Sequence, residues 1–352
     1  MNSAWKYIGV ACASVALIAT AGCSTGGDKS SDKASNEVVL LTHDSYAVPK
    51  ELVKEFEKEN NIKLVHRAVG DAGSLTNRLV LTKDDPTGDV VFGVDNTFAS
   101  RALDEGVFAS NDVTLPSGAE GYLIKSAKNK LAPINTASVC VNIDKTWFAD
   151  KKLAEPKTLE DLTDAKYRDL FVAPSATTSS PGAAFMLTTI AAFGDDWPKY
   201  WERLMANGAK LTSGWSDAYY VEFTQGGEKG KRPIVLSYDT SPAFTLNDAG
   251  TESTTAALLD TCFRQVEYAG VLEGAKNPGG AAKVIEFLLS EEVQAAIPDS
   301  MYVFGVRDDV ELPEAWARFA VQPTKTFDVA PDEIAKNRSD WLKTWTDVTS
   351  KR

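Results

Sequence analysis

Val38-Val39-Leu40-Leu41-Thr42, Ile62-Lys63-Leu64-Val65-His66 and Asp89-Val90-Val91-Phe92-Gly93-Val94 are three short apolar runs rich in β-branched residues, with helical patterns between them. Such runs suit strands buried on both faces of a parallel sheet. Pro49 opens the first intervening helix, which puts Leu52, Val53 and Phe56 on one stripe and Lys54, Glu55, Lys58 and Glu59 outside. Asn60-Asn61 stops it, and Ser74 to Leu81 reads as a second helix. Alternating strands and helices give an open α/β sheet, whose ligands collect beyond the carboxyl ends of the strands. The residues at those ends are His43-Asp44-Ser45-Tyr46, Gly70-Asp71 and Asp95-Asn96.

A second α/β segment follows Asn142. Ser180 as N-cap and Pro181 at the first helical position precede the apolar helix Gly182 to Phe193, and Ile234-Val235-Leu236-Ser237-Tyr238 is a strand running into Asp-Thr-Ser-Pro. Cys262 to Leu272 carries the chain back, and an amphipathic helix begins at Gly279. The pattern predicts two lobes with a ligand cleft between them, joined by hinge strands. Residues 37–139 form the first lobe, 140–262 the second, and 263–352 the return to the first lobe with the C-terminal helices.

The N-terminus predicts export. Lys6 is followed by an apolar run from Ile8 to Ala21, too short at about 21 Å to cross a hydrocarbon core of about 30 Å. It reads as a secretory segment over 1–22. Thr20-Ala21-Gly22-Cys23 is similar to a lipobox, with Cys23 as the lipidated mature N-terminus on the outer face of the cell membrane. Residues 23–36 then form a flexible tether. An ordinary signal peptide cut nearby is the alternative. The charge of −12, from 37 basic against 49 acidic residues, argues against a nucleic-acid partner, and removal of 1–22 takes Lys6 and no acid. Cys140 and Cys262 remain as an even pair in an oxidising compartment, a disulfide if their strands are neighbours and two buried thiols if not.

Enzyme motifs are nearly absent. Gly214-Trp215-Ser216-Asp217-Ala218 misses a nucleophile elbow by one residue, and only His43 and His66 could serve as its base. There is no phosphate loop and no HExxH; Asp84 to Asp89 lacks calcium-loop spacing and reads as a solvated turn. No catalytic residue, metal or cofactor is expected. What stands out is aromatic residues among hydroxyl and acidic ones: Trp215 with Tyr219 and Tyr220, Tyr238 with Ser241 and Phe244, and Tyr302 with Phe304. Each group alone reads as half-buried packing. Three together suit a cage for a flat cation, because ring faces are electron-rich. The helix N-terminus at Ser180 offers free N–H groups to a phosphate or hydroxyl.

Taken in order, Asp44-Ser45, Ser74 to Leu79, Gly93 to Asn96, Thr178-Ser179-Ser180-Pro181-Gly182, Gly214 to Tyr219, Leu236 to Ala243 and Ala296-Ile297-Pro298 resemble the thiamine-binding proteins of bacterial ABC importers. The resemblance runs through the mature domain from Val38 onward. It implies a type II periplasmic-binding-protein fold, a monomer that binds thiamine or its mono- or diphosphate, and a membrane permease as partner. Trp215 then packs on the thiazolium, Tyr238 and Ser241 line the cleft, and Ser179 faces a phosphate. His43, Phe244 and Tyr302 stand where the family pattern has Tyr, Tyr and Trp. Asp44, Asp71 and Asp95 supply negative potential at the rim, and Ser45 is a further candidate ligand contact. Tyr219-Tyr220 also matches the adjacent tyrosines of ferric-binding proteins, which makes iron capture an alternative; a thiamine-pyrimidine biosynthetic enzyme shares the fold but needs more histidine. Trp316, Trp341 and Trp345 are either terminal-helix packing or a protein-binding patch.

Overall fold

The computed structural model describes residues 36–227 and 229–351. The predicted secretory segment, the Cys23 lipidation site and nearly all of the tether lie outside the described residues. In the first lobe, β1 (Glu37–Thr42) pairs in parallel with β2 (Lys63–Ala68) and β3 (Val90–Asp95), and α1 (Lys50–Asn60), α2 (Ala72–Leu81) and α3 (Ala99–Asp104) follow the strands in turn. Asn61 ends α1 in the left-handed conformation, as the double Asn suggested. Asp89, read from sequence as part of a solvated turn, is instead buried. Its carboxylate accepts N–H bonds from Val39 and Asn277 and ties β1 to the chain's return.

Two long strands carry the chain between lobes. β4 (Ala132–Asp144) is buried along its whole length, and β9 (Phe263–Val271) runs antiparallel to it from Ala132↔Ala269 to Val139↔Phe263. Past Val139, β4 leaves β9 and pairs with β7 (Ile234–Tyr238) and β8 (Thr255–Ala257) of the second lobe. Cys140 and Cys262 are disulfide-bonded at this fork; Cys262 lies one residue before β9. The second lobe adds α4 (Lys145–Lys151), β5 (Phe171–Pro174), α5 (Ser180–Phe193), α6 (Trp197–Ala206) and β6 (Lys210–Thr212). One mixed sheet results, in the order β2-β1-β3-β9-β4-β7-β5-β6. This is the two-lobed type II periplasmic-binding-protein architecture, with β4 and β9 as crossover strands.

After β9, α7 (Pro278–Leu288) and α8 (Glu291–Met301) cover the first lobe through Val284, Ile285, Leu288 and Ile297. β10 (Phe304–Gly305) pairs with β4, and α9 (Glu314–Phe319) buries Trp316. The C-terminal helix α10 (Pro331–Thr349) crosses to the other side: Ile334, Trp345 and Val348 enter the second lobe's core, while the buried Arg338 guanidinium lies 4.2 Å from the Phe98 ring centroid of the first. Of the three C-terminal tryptophans, Trp316 and Trp345 are buried and Trp341 packs against the second core, so they form no surface patch.

Candidate functional site

The cleft is built where strand ends of the first lobe meet a polar turn of the second. His43, Asp44 and Ser45 follow β1, and Asp71 follows β2 and caps α2 by accepting from Ala72 N–H at 2.6 Å. Opposite them, Ser213 to Ser216 lead into a π-helical turn over Asp217–Glu222, a geometry frequent at functional sites. The widened turn sets Tyr219 under Trp215, ring centroids 5.0 Å apart and nearly parallel, with Tyr238 6.0 Å away and Tyr220 edge-on at 5.3 Å. The Trp215 indole N–H donates to Ser237 Oγ at 2.9 Å, and Ser241 Oγ lies 2.8 Å from that hydroxyl. The indole orientation is therefore fixed by hydrogen bonding as well as packing.

The lobes touch across this cleft. Trp215 N–H donates to Asp71 Oδ2 at 2.9 Å, Ser74 N–H donates to the Thr178 carbonyl at 3.2 Å, and the Ser45 and Ser216 hydroxyls are 3.4 Å apart. Gly73 is required by this closure, since a Cβ there would lie 2.7 Å from the Thr178 carbonyl carbon. Two cavities remain. The outer one, about 150 Å³, is lined by Asp44, Ser45, Asp71, Thr178, Ser213 and Asp217 among others. The inner, about 30 Å³, is bounded by His43, Asp71, Ser180, Trp215, Tyr238 and Glu267, with Met301 and Val303. Neither lining contains lysine or arginine. The inner volume matches roughly one water, whereas small-molecule pockets run to about 300 Å³ or more. This is a closed cleft that must part to admit an organic ligand. A surface depression of about 600 Å³ beside β8 and α9 shares none of these residues.

Charge in the cleft is mostly negative. Burial pushes the Asp71 carboxyl up, against the pull of the Trp215 N–H and His43. Burial also opposes ionisation of Glu267, but His43 outweighs it and holds the carboxyl below its ordinary range. Glu267 Oε1 is 3.1 Å from His43 Nε2, and Glu267 Oε2 accepts from Asn135 at 2.8 Å. The carboxylates on one side and the Trp215–Tyr219 stack on the other are both surfaces that attract cations.

A model for bacterial extracellular solute-binding proteins matches residues 41–295. The chain is a bacterial extracellular solute-binding protein. The thiamine-binding periplasmic protein of Salmonella typhimurium is 30% identical over 326 residues, covering 89% of this chain and 94% of the relative. That of Brucella abortus is 31% identical over 331 residues, 91% and 94% covered. Among solved structures, a periplasmic thiamin binding protein superposes with a TM-score of 0.78 at 28% identity, over 90% of this chain and 96% of that one. Iron-bound HitA from Pseudomonas aeruginosa, at 19% identity and TM-score 0.67, shares the fold. These relatives are solute receptors, and this solute-binding protein is a receptor rather than an enzyme.

Within this solute-binding protein, His43, Asp44, Ser45, Asp71, Ser180, Trp215 and Tyr238 border the cavities. Others expected at the cleft lie behind it. Asp95 is fully buried instead of at the rim; it accepts from the Thr97 hydroxyl and from the Thr97 and Phe98 N–H groups, and burial pushes its pKa up to about 7. The α5 helix starts at Ser180 with Ser179 as N-cap, one residue earlier than expected. Both serines are buried, and neither hydroxyl makes a hydrogen bond among the described residues; Asp71 and Asp95 lie near enough to interact with them, so carboxylates of the chain already stand at this helix end. Phe244 packs on Tyr302, centroids 3.9 Å apart, and edge-on against Trp316, outside both linings. Tyr219 and Tyr220 present perpendicular rings and border neither cavity, and burial pushes the Tyr219 phenol up to about 12 and raises that of Tyr220 as well. Sequence reasoning passed over Glu267 and Asp217. An acidic residue inside the apolar run Val266 to Val271 was the available signal for Glu267.

Proposed function

We propose that this receptor binds thiamine and hands it to the permease of an ABC importer, acting as a monomer held to the outer face of the cell membrane by lipid at Cys23. The observation that carries the reading is the pairing, across one cleft, of the Trp215–Tyr219 stack with the Asp71 and Glu267 carboxylates. Thiazolium is flat and permanently cationic. A desolvated ring face attracts such a cation by about 2 kcal/mol, and the carboxylates add Coulombic attraction. The thiamine-binding relatives, similar over most of their length, support the same ligand.

Free thiamine is the preferred form in this reading. A phosphate directed at the α5 helix end would meet Asp71 and Asp95, and one in the outer cavity would meet Asp44, Asp71 and Asp217. Mass spectrometry of ligand released from the purified protein, followed by titration calorimetry with thiamine and its two phosphate esters, tests this directly. Thiamine is expected as the released species and the tightest of the three. Release of a different solute, with no heat on adding thiamine, would end the reading. Mass spectrometry of the N-terminal peptide tests the anchor: a diacylated Cys23 is expected, and a free, unacylated N-terminus would refute it.

A further inference from the structure

One group in the cleft has hydrogen-bond partners and electrostatic surroundings that favour different protonation states. His43 Nδ1 accepts the Ser45 backbone N–H at 3.1 Å, so that nitrogen carries no proton in this arrangement. Nε2 then bears the ring's single hydrogen; it lies 3.1 Å from Glu267 Oε1 without the alignment of a hydrogen bond, and the Nδ1 contact fits a neutral imidazole. The ring is held there by shape. It packs on Phe92 at 5.4 Å, and Gly93, at φ +103°, leaves it the space that a Cβ would take, 2.1 Å from His43 Cδ2.

The field around the ring favours the opposite state. Burial lowers its proton affinity and is the largest single influence, but Glu267, Asp71 and Asp44 together outweigh it, so the pKa of His43 is raised on balance. The charged and titratable groups facing it come from each neighbouring element: Asp44 on the loop after β1, His66 on β2, Asp71 at the start of α2 and Glu267 on β9. Of these only His66 opposes the second proton. The same carboxylates that attract this proton are the ones available to a bound cation, since His43, Asp71, Glu267 and Trp215 all border the inner cavity.

Resting on the thiamine reading above, we propose that His43 couples cation capture to proton release. A proton on His43 and an organic cation against Trp215 compete for the Glu267 and Asp71 carboxylates, so the cation binds best when the ring is neutral. The sign follows from linkage: if the cation displaces the proton, affinity falls as pH drops through the raised pKa, by up to about tenfold per pH unit. The receptor then holds its ligand more weakly in acid.

Calorimetric titration of the full chain with thiamine between pH 5.5 and 8.5, in two buffers of different ionisation enthalpy, tests the coupling. The expected result is a Kd about tenfold weaker at pH 5.5 than at pH 7.5, with net proton release on binding near pH 6.5. His43→Tyr, which cannot take a second proton, should flatten the profile and remove the proton release. If that variant fails to fold, His43→Gln, which keeps an N–H for Glu267, provides the same comparison. Thiamine binding with no pH slope and no proton exchange would overturn this inference and leave the ligand assignment standing. A slope that persists in the variants would also overturn it, transferring the titration to Asp71. No thiamine binding at any pH would overturn both.

Discussion

The first lobe meets the cleft with carboxylates on strand ends and a helix start, whereas the second meets it with rings. Asp44 and Asp71 lie on the segments that follow β1 and β2, and Glu267 lies on β9; Asp71 accepts the Trp215 N–H, and Glu267 accepts from Asn135 and lies beside His43. Trp215, Tyr219 and Tyr238 form a cluster with Val172 and Val235 beneath them, anchored by the Ser237–Ser241 hydroxyl pair. Each face is cheap to build alone: carboxylates near water on one lobe, stacked rings over apolar strands on the other. Only on closure do the two faces meet. The division teaches that, on the reading proposed above, selectivity depends on the approach of the lobes and not on either lobe separately.

This comparison can be attacked in order of effect. Both faces hang from β4 and β9, which the Cys140–Cys262 disulfide joins at their fork. The 122-residue loop that it closes implies about 4–5 kcal/mol of stabilisation by the loop-entropy argument, so the Cys140→Ser/Cys262→Ser pair should lose much of its unfolding free energy in a denaturant titration. Trp215→Ala removes the ring face and the bond to Ser237, and thiamine Kd should rise at least tenfold and up to about a hundredfold, from roughly 1.4–2.8 kcal/mol of lost contact. Asp71→Asn keeps the shape and removes the charge, and should weaken thiamine about tenfold.

Gly73→Ala loads closure and the first lobe's core together. The residue lies in α2, and its added Cβ would strike the Thr178 carbonyl carbon at 2.7 Å and the buried Phe98 ring at 2.8 Å, which outweighs the up to about 1 kcal/mol that alanine gains in helix propensity. The expected outcome is a lower Tm with a several-fold weaker Kd; equal affinity would show that the closed contact is not the binding state. Smallest of all, Phe244→Tyr should change Kd less than about twofold, because Phe244 lies behind Tyr302 and borders neither cavity.

Much of this was legible in the sequence, and the misses share a cause. The strands at Val38, Ile62 and Ile234 follow from apolar runs bounded by turn residues, and the fold followed from their alternation with helices. Trp215 and Asp71 were legible because an aromatic beside small polar residues, and an acid at a strand end, are unusual locally. Depth was not legible. Asp95 is the last residue of β3 and Asp71 follows the end of β2, yet Thr97 and Phe98 wrap Asp95 and it faces the core. Phe244 belongs to the right segment but turns toward Trp316 and Tyr302, whereas Tyr302 also packs against the Trp215–Tyr219 cluster. Glu267, by contrast, was hidden by an apolar context that suggested a plain core strand, and only the approach of His43 and Asn135 gives it a role. Long-range partners decide burial, and no local pattern records them.

The claim that matters most is that one face supplies charge and the other a ring surface for the same cation. Parallel calorimetric titrations of the full chain with thiamine and with tetrahydrothiamine, whose reduced ring lacks the permanent positive charge, test it most directly. Thiamine should bind at least tenfold more tightly than the reduced analogue, and Asp71→Asn should narrow that gap. Equal affinity for the two, unaffected by Asp71→Asn, would contradict the account.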